Sequence, residues 1–391
     1  MFPIEKFRKY LYSLVTLLGV MLCCIGCGKT TETTFIKKSR SPYRFTVDTT
    51  FSANVVIDAG VIFELGDSVT ITFEGDVSMN GTEQERVVFK PINTQWKFLK
   101  FNKENTKLNL SYVSVYNGKL MMEKKSDVVL NNVSYLNSAQ QFYWDGLLVM
   151  NEGGTFHADS ITMSSNSTGE GIVLNSLSEF SIRNSYFNDV NDPFEVLYCE
   201  NGVIDNCVFD SSAFDDAVDI NGCKNVVVQN CSFDLITDCC IEVDYHEYFK
   251  SKSENIIIVN NEFTKSKIGI NSKGGSEIIG GYNSFESCKT SVMVSGVNSK
   301  VVNFNSFVID EKKVVIADKN KRQLLIWNSS VSDIVLDGVG NCVLLNEDII
   351  SNECELEPTR LSGILGVNKN VFGKQKKTLQ FDISQIDNLK E

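Results

Sequence analysis

Asn184-Ser185-Tyr186-Phe187, Asn206-Cys207-Val208-Phe209, Asn230-Cys231-Ser232-Phe233 and Asn260-Asn261-Glu262-Phe263 are four copies of one pattern, Asn-x-x-Phe, in a chain of 391 residues. Their phenylalanines fall 22, 24 and 30 residues apart, and Phe285 and Phe307 continue the series at intervals of 22. Asn132-Val133-Ser134-Tyr135 is a weaker upstream copy. A fixed period of this size marks stacked structural repeats. Within a period, runs such as Asn225-Val226-Val227-Val228 and Cys240-Ile241-Glu242-Val243 are too short for helices and are separated by Asn, Gly, Ser or Asp. Short strands joined by polar turns, with no leucine-rich consensus, predict an all-β, single-stranded right-handed parallel β-helix, a solenoid with coils of 22–24 residues. Coils stack about 4.8 Å apart. Like residues then sit above like, Phe inside and Asn at a turn. The interval of 30 residues holds an excursion, Tyr245 to Ser253, that projects from one coil.

Composition agrees. The chain has 7 Ala against 37 Asn, 26 Gly and 25 Phe. Ala favours helices, Asn and Gly favour turns, and Phe suits a pleated surface, so a mainly helical protein is excluded. A hydrophobic content of 42% excludes a disordered chain. A net charge of −12 argues against nucleic acid as a partner, because displacing its counterions needs excess Lys and Arg. With only His157 and His246, histidine-based metal sites and triads have little support, and His157 reads as structural. Walker, GxSxG and GxGxxG motifs are missing from the sequence, so nucleotide enzymes and α/β-hydrolases have none either.

The N-terminus indicates a compartment. Lys6, Arg8 and Lys9 precede an apolar stretch, Leu11 to Ile25, that is short for a membrane span. It ends in Cys24-Ile25-Gly26-Cys27-Gly28, which resembles a bacterial lipobox. That resemblance implies cleavage after Gly26 and lipidation (palmitate) of Cys27, and hence a membrane-anchored lipoprotein of the cell envelope, at the outer membrane or cell surface. Residues 1–26 read as a lipoprotein signal peptide and 27–41 as a tether. The β-helix is expected over 42–352 and a C-terminal cap or tail over 353–391, where Pro358 and several Lys occur without a period. Nine cysteines remain in the body. Cys199 and Cys223 are 24 apart, as are Cys207 and Cys231, which predicts stacked buried thiols rather than a zinc site, with disulfides left open.

Asp216-Ala217-Val218-Asp219, Asn230-Cys231-Ser232-Phe233, Cys240-Ile241-Glu242-Val243 and Ile268-Gly269-Ile270-Asn271-Ser272-Lys273-Gly274 resemble the β-helix repeat proteins of bacterial envelopes associated with spore-coat-type (CotH-like) kinases, within the pectate-lyase-like superfamily. That likeness spans residues 50 to 310, implies fold more than activity, and places Trp96 as an early exposed aromatic. A second resemblance concerns chemistry. Ser251-Lys252-Ser253-Glu254-Asn255, followed by Asn260-Asn261-Glu262-Phe263, is similar to part of the motif of alginate lyase and chondroitinase B type enzymes. It implies β-elimination with Lys252 as base, beside calcium. The Arg-containing second half of that motif is replaced here by Ser272-Lys273-Gly274, so Lys273 would have to neutralise a uronate without the planar fork of Arg.

Stacking also brings Glu195, Asp219, Glu242 and Asn271 onto one outer face, with Asp215, Asp216, Asp244 and Glu247 close by. Oxygen-only ligands suit Ca²⁺, and paired carboxylates suit glycoside hydrolysis; a solvated acidic face is the alternative. Tyr245, His246 and Tyr248, beside Phe249 in the excursion, could stack on a sugar ring or fold back onto the coil beneath. The repeat framework is complete and the catalytic set is not. The expectation is therefore a binding or scaffold module for polysaccharide or an envelope protein, with a polysaccharide lyase or glycoside hydrolase as the alternative.

Overall fold

The structure is a computed structural model that describes residues 32–137, 146–165, 169–212, 215–294, 299–304, 307–309, 314–317, 323–327, 334–337 and 341–345. Three long parallel sheets of 14, 12 and 11 strands, here sheets A, B and C, carry almost all of them. The chain visits A, B and C in turn, so each strand pairs with its equivalent one coil later. In sheet C, Phe194–Leu197 pairs with Val218–Asn221, which pairs with Cys239–Asp244. This is the right-handed parallel β-helix that the Asn-x-x-Phe period predicts. Among the described residues the helical content is a single 3-10 turn, Lys38–Arg40, and no helix is long and apolar enough to cross a membrane.

One boundary and one aromatic differ from expectation. Thr33–Ile36 pairs with Asn54–Ile57 as the first rung of sheet A, so the second half of the expected tether belongs to the solenoid. Its Thr and Phe side chains support a strand at the open end, where the backbone of the next coil is available as a partner. Trp96 is not an exposed aromatic. It is 3% exposed, its indole N–H donates to the Tyr116 carbonyl at 2.8 Å, and it lies over Gly118, where a Cβ would come within 2.1 Å of the ring. The signal segment, Cys27 and residues 353–391 lie outside the described residues.

The core is built by stacking. Phe187, Phe209, Phe233, Phe263 and Phe285 form a column with successive ring centroids 5.0, 4.8, 5.1 and 4.8 Å apart. Those separations equal the rung spacing of a parallel ladder, and burying each ring contributes roughly 1.5–3 kcal/mol. The long coil leaves the column intact. Its excursion opens after Cys239–Asp244 and closes before Glu254–Val259, and both flanks stay in register, Asp219 with Glu242 and Lys224 with Glu254.

Asn defines the corners. Asn184, Asn206, Asn230 and Asn260 adopt left-handed φ values of 51, 53, 56 and 55°, a conformation that Asn tolerates better than branched residues. Their amides bond between coils, Asn206 Nδ2 to Asn184 Oδ1 at 2.8 Å and Asn260 Nδ2 to Asn230 Oδ1 at 2.6 Å. A second ladder, Asn201, Asn225 and Asn255, repeats the device at the entry to sheet A. The cysteines behave as small core residues: Cys199, Cys207, Cys223, Cys231, Cys239, Cys240 and Cys288 are all buried as free thiols.

Candidate functional site

Alternate residues of each sheet C strand point outward, which generates a row along the solenoid axis. It runs Lys100, Met121, Val149, Val173, Glu195, Asp219, Glu242, Asn271. After Lys100 the face is therefore apolar over Met121, Val149 and Val173, and then acidic in the middle. A parallel outward row holds Asn175, Leu197, Asn221 and Asp244. The turns that enter these strands add Asp192, Asp215, Asp216 and Asp238.

The acids converge. Asp216, Asp219 and Glu242 each bring a carboxylate oxygen to within 4.8 Å of the others. Asp216 Oδ1 accepts the Cys239 backbone N–H at 2.7 Å, and Asn221 Nδ2 donates to Asp219 Oδ2 at 2.7 Å. Glu242, 7% exposed, accepts Lys273 Nζ on Oε1 at 2.5 Å and Asn271 Nδ2 on Oε2 at 3.0 Å. The thiol of Cys239 also donates to Glu242 Oε2, at 3.4 Å. The other oxygens fare differently. Asp219 Oδ1 and Asp192 Oδ1 are buried and accept no hydrogen bond.

This crowding moves proton affinities upward. Burial, and then the charge of Asp215, pushes Asp192 up to about 9. Burial and the neighbouring Glu170 push Glu195 up to about 8. Asp216 rises to about 7 because burial and Glu242 outweigh the donated Cys239 N–H. Asp219 is raised well above the ordinary carboxylate range, by burial first and then by Asp216. Burial lowers the proton affinity of Lys273, but the Glu242 carboxylate overrides it and the net shift is upward. The face thus holds acids of raised proton affinity beside Glu242, which is paired with the Lys273 ammonium.

Two groups have the composition of cation ligands, Asp216 with Asp219 and Glu242, and Asp216 with Asp238 and Cys239. Oxygens about 2.4 Å from one calcium ion lie at most about twice that distance apart, so the first group fits on separation alone. Its donor set fits less well. Lys273 already sits on Glu242 as a competing cation, and Asn271 presents its NH₂ rather than its carbonyl to the same carboxylate.

The lyase residues are placed elsewhere. Lys252 lies before a sheet A strand and pairs with Glu254 at 3.1 Å and Glu277 at 3.5 Å. The Glu254 hydrogen bond leads in raising its proton affinity, the opposite of what a proton-abstracting lysine needs. Lys273 is committed to Glu242. In the excursion, Phe249 stacks on Tyr198 of the earlier coil with centroids 4.2 Å apart and planes at 16°. His246 Nδ1 accepts the Phe249 N–H at 3.3 Å and its ring lies against that of Phe249. Tyr245 is half-buried where a Cβ on Gly274 would meet it, whereas Tyr248 is 82% exposed. Folding back thus involves Phe249 and His246, while Tyr248 stays exposed and meets only the edge of Phe249 among the ring contacts. Asp244 caps the start of the excursion, its Oδ1 accepting the Tyr245 N–H at 2.6 Å. His157 lies on sheet A rather than among the sheet C acids, with Nδ1 3.0 Å from Ser181 Oγ and Nε2 3.9 Å from Glu179 Oε1.

Sequence reasoning found Glu195, Asp219, Glu242 and Asn271, which share a register. It missed Asp192, and it did not anticipate Tyr198 as the platform for Phe249.

No curated protein matches this chain. Among solved structures it is similar to an alginate lyase from Paenibacillus sp. str. FPU-7, at 12% identity over 75% of this chain and 93% of that one, with a TM-score of 0.32. It is also similar to the A-module of the mannuronan C-5 epimerase AlgE4 of Azotobacter vinelandii, at 12% identity over 75% and 91%, with a TM-score of 0.38. A third is PfbA, a surface adhesin of Streptococcus pneumoniae, at 13% identity over 79% and 86%, with a TM-score of 0.34. Residues 119–279 match the family described as right handed beta helix region, and that stretch contains the whole acidic row.

Proposed function

We propose that this chain is a lipoprotein of the bacterial envelope, anchored through Cys27, that binds a neutral glycan along the outer face of sheet C. One observation carries the reading: the acids at the centre of that face, Asp192, Glu195, Asp216 and Asp219, have raised proton affinities and two buried, unpartnered oxygens. Unpaired buried carboxyls cost stability, and such groups concentrate where a ligand or a reaction uses them. Protonated carboxyls donate hydrogen bonds and ionised ones accept, so the face offers both to sugar hydroxyls. A net charge of −12 and a cluster of acids repel uronates, which favours a neutral chain.

Hydrolysis is a second reading, favoured by the pairing of Asp219 with Glu242. Asp219, whose proton affinity is raised by burial, lies beside Glu242, whose counter-ion is Lys273, with oxygens within 4.8 Å. That is close to the separation of about 5–5.5 Å between the acid and the nucleophile of retaining glycosidases.

The test is affinity electrophoresis and reducing-end release on neutral glucans and mannans, with alginate as the polyanion, using the wild type and Asp219→Asn. Retardation by a neutral glycan that weakens in Asp219→Asn supports binding, and release lost in that variant adds hydrolysis. Binding to envelope protein that sugars do not compete would replace this reading with adhesion.

A further inference from the structure

We infer that the corner groove bounded by Glu123, Lys124, Asn151, Glu152, Asn175 and Phe249 is a separate subsite for neutral sugar, closed on one side by the excursion. The inference rests on the glycan-binding reading of sheet C and extends it to a place and a specificity.

The groove has a volume of about 410 Å³, within the range of small-molecule sites. Its floor is the corner that follows three successive sheet C strands, Lys119–Met122, Leu148–Met150 and Ile172–Asn175. Stacking therefore sets Glu123, Asn151 and Asn175 at one-rung intervals along the axis. Carboxylates and amides repeated at that spacing present acceptors and donors to a chain of hydroxyls lying parallel to the axis.

Phe249 supplies the other half of sugar recognition. It would be unconstrained in a free loop, but Tyr198 holds it by a stacked contact of 4.2 Å and Tyr248 packs edge-on against it at 5.0 Å. An aromatic fixed by its own neighbours loses little entropy when a ring packs on its free surface. This gives the excursion a use: the loop leaves a later coil and reaches back to wall a groove made by earlier ones.

Charge sets the class of ligand. Glu123 is paired with Lys100 at 2.7 Å and Glu152 with Lys124 at 3.2 Å, so each carboxylate of the groove has its own lysine. A locally neutral site has no net attraction for uronate or sulfate and none for a cationic amine. The groove also adjoins the acids. The strand that ends at Asn175 is two rungs, about 10 Å, from the one that carries Asp219, so one oligosaccharide can reach both.

The decisive experiment measures affinity of the full chain for short and long oligosaccharides of the neutral glucan or mannan that retards it. It compares the wild type, Phe249→Ala, Phe249→Trp and Asp219→Asn. Phe249 is on the surface, 38% exposed, and circular dichroism checks that each variant keeps its fold. Phe249→Ala should weaken binding of the long ligand about tenfold while leaving the disaccharide within about twofold, and Phe249→Trp should restore it. Equal affinity of Phe249→Ala and wild type for the long ligand, or stronger binding of alginate than of neutral chains, would overturn the subsite. Loss in Asp219→Asn with none in Phe249→Ala removes the groove and keeps the acidic face. The reverse keeps the groove and removes the acidic face.

Discussion

Replacing Glu195 with Gln should change how the stability of the solenoid depends on pH. Glu195 takes up its proton at about 8 in the folded chain against an ordinary value of 4.5, because it is buried and faces Glu170. A raised carboxyl binds its proton more tightly when folded, so its contribution is present below the ordinary value and is lost as pH rises towards about 8. The gap between the two values, at about 1.4 kcal/mol per pH unit, corresponds to on the order of 5 kcal/mol, an upper figure because Glu170 shares the same proton. Glutamine has the same shape and does not ionise. Urea unfolding followed by circular dichroism at about pH 5, 7 and 9 should show the wild type losing stability as pH rises, and Glu195→Gln losing several kcal/mol less. The two should differ least at about pH 5, where Glu195 is neutral in the folded chain. Parallel curves, or a wild type that gains stability between about pH 5 and pH 9, would refute the account of a buried proton-holding acid.

Other expectations follow from single contacts. Lys273→Ala leaves Glu242 buried without its counter-ion and should cost roughly 1–3 kcal/mol in denaturant unfolding, whereas Lys252→Ala removes only exposed pairs and should stay within about 0.5 kcal/mol. Any glycan-degrading activity should likewise survive Lys252→Ala, and a reducing-end assay in which it did not would return the lyase mechanism. Phe233→Ala opens a gap in the middle of the ring column and should cost about 3–5 kcal/mol, read as a lowered melting temperature. Labelled palmitate fed to cells should enter the wild type and be absent from Cys27→Ser, and equal labelling would remove the proposed anchor.

The sequence made the interior legible because a solenoid writes its period into the chain. Phe209, Phe233 and Phe263 announce the column, and Asn206, Asn230 and Asn260 announce the left-handed corner. Asn201, Asn225 and Asn255 carry the same intervals of 24 and 30 residues, so the second ladder was available to the same reasoning. Once register is known, Glu195, Asp219, Glu242 and Asn271 must align. What failed had no periodic mark. Asp192 sits in a turn, and the charges that press on it, Asp215 and Asp216, belong to the next coil. Lys252 lies in a convincing local motif, yet two carboxylates hold it, Glu254 from the motif itself and Glu277 from the next coil. Phe249 points where the excursion folds, and no repeat specifies that direction. Alternation along a strand reports inside from outside; it does not report which outer groups meet around a corner.

The register on either side of the excursion has a consequence for design and for evolution. Because Asp219 meets Glu242 and Lys224 meets Glu254 as though nothing had been inserted, the corner between those strands transmits no information about the length of what it carries. Segments could be lengthened, shortened or exchanged there without disturbing the coils beyond. The same corner at each rung is therefore a row of independent attachment points at about 4.8 Å intervals, on which a lineage, or a designer, could mount different loops and test them one at a time.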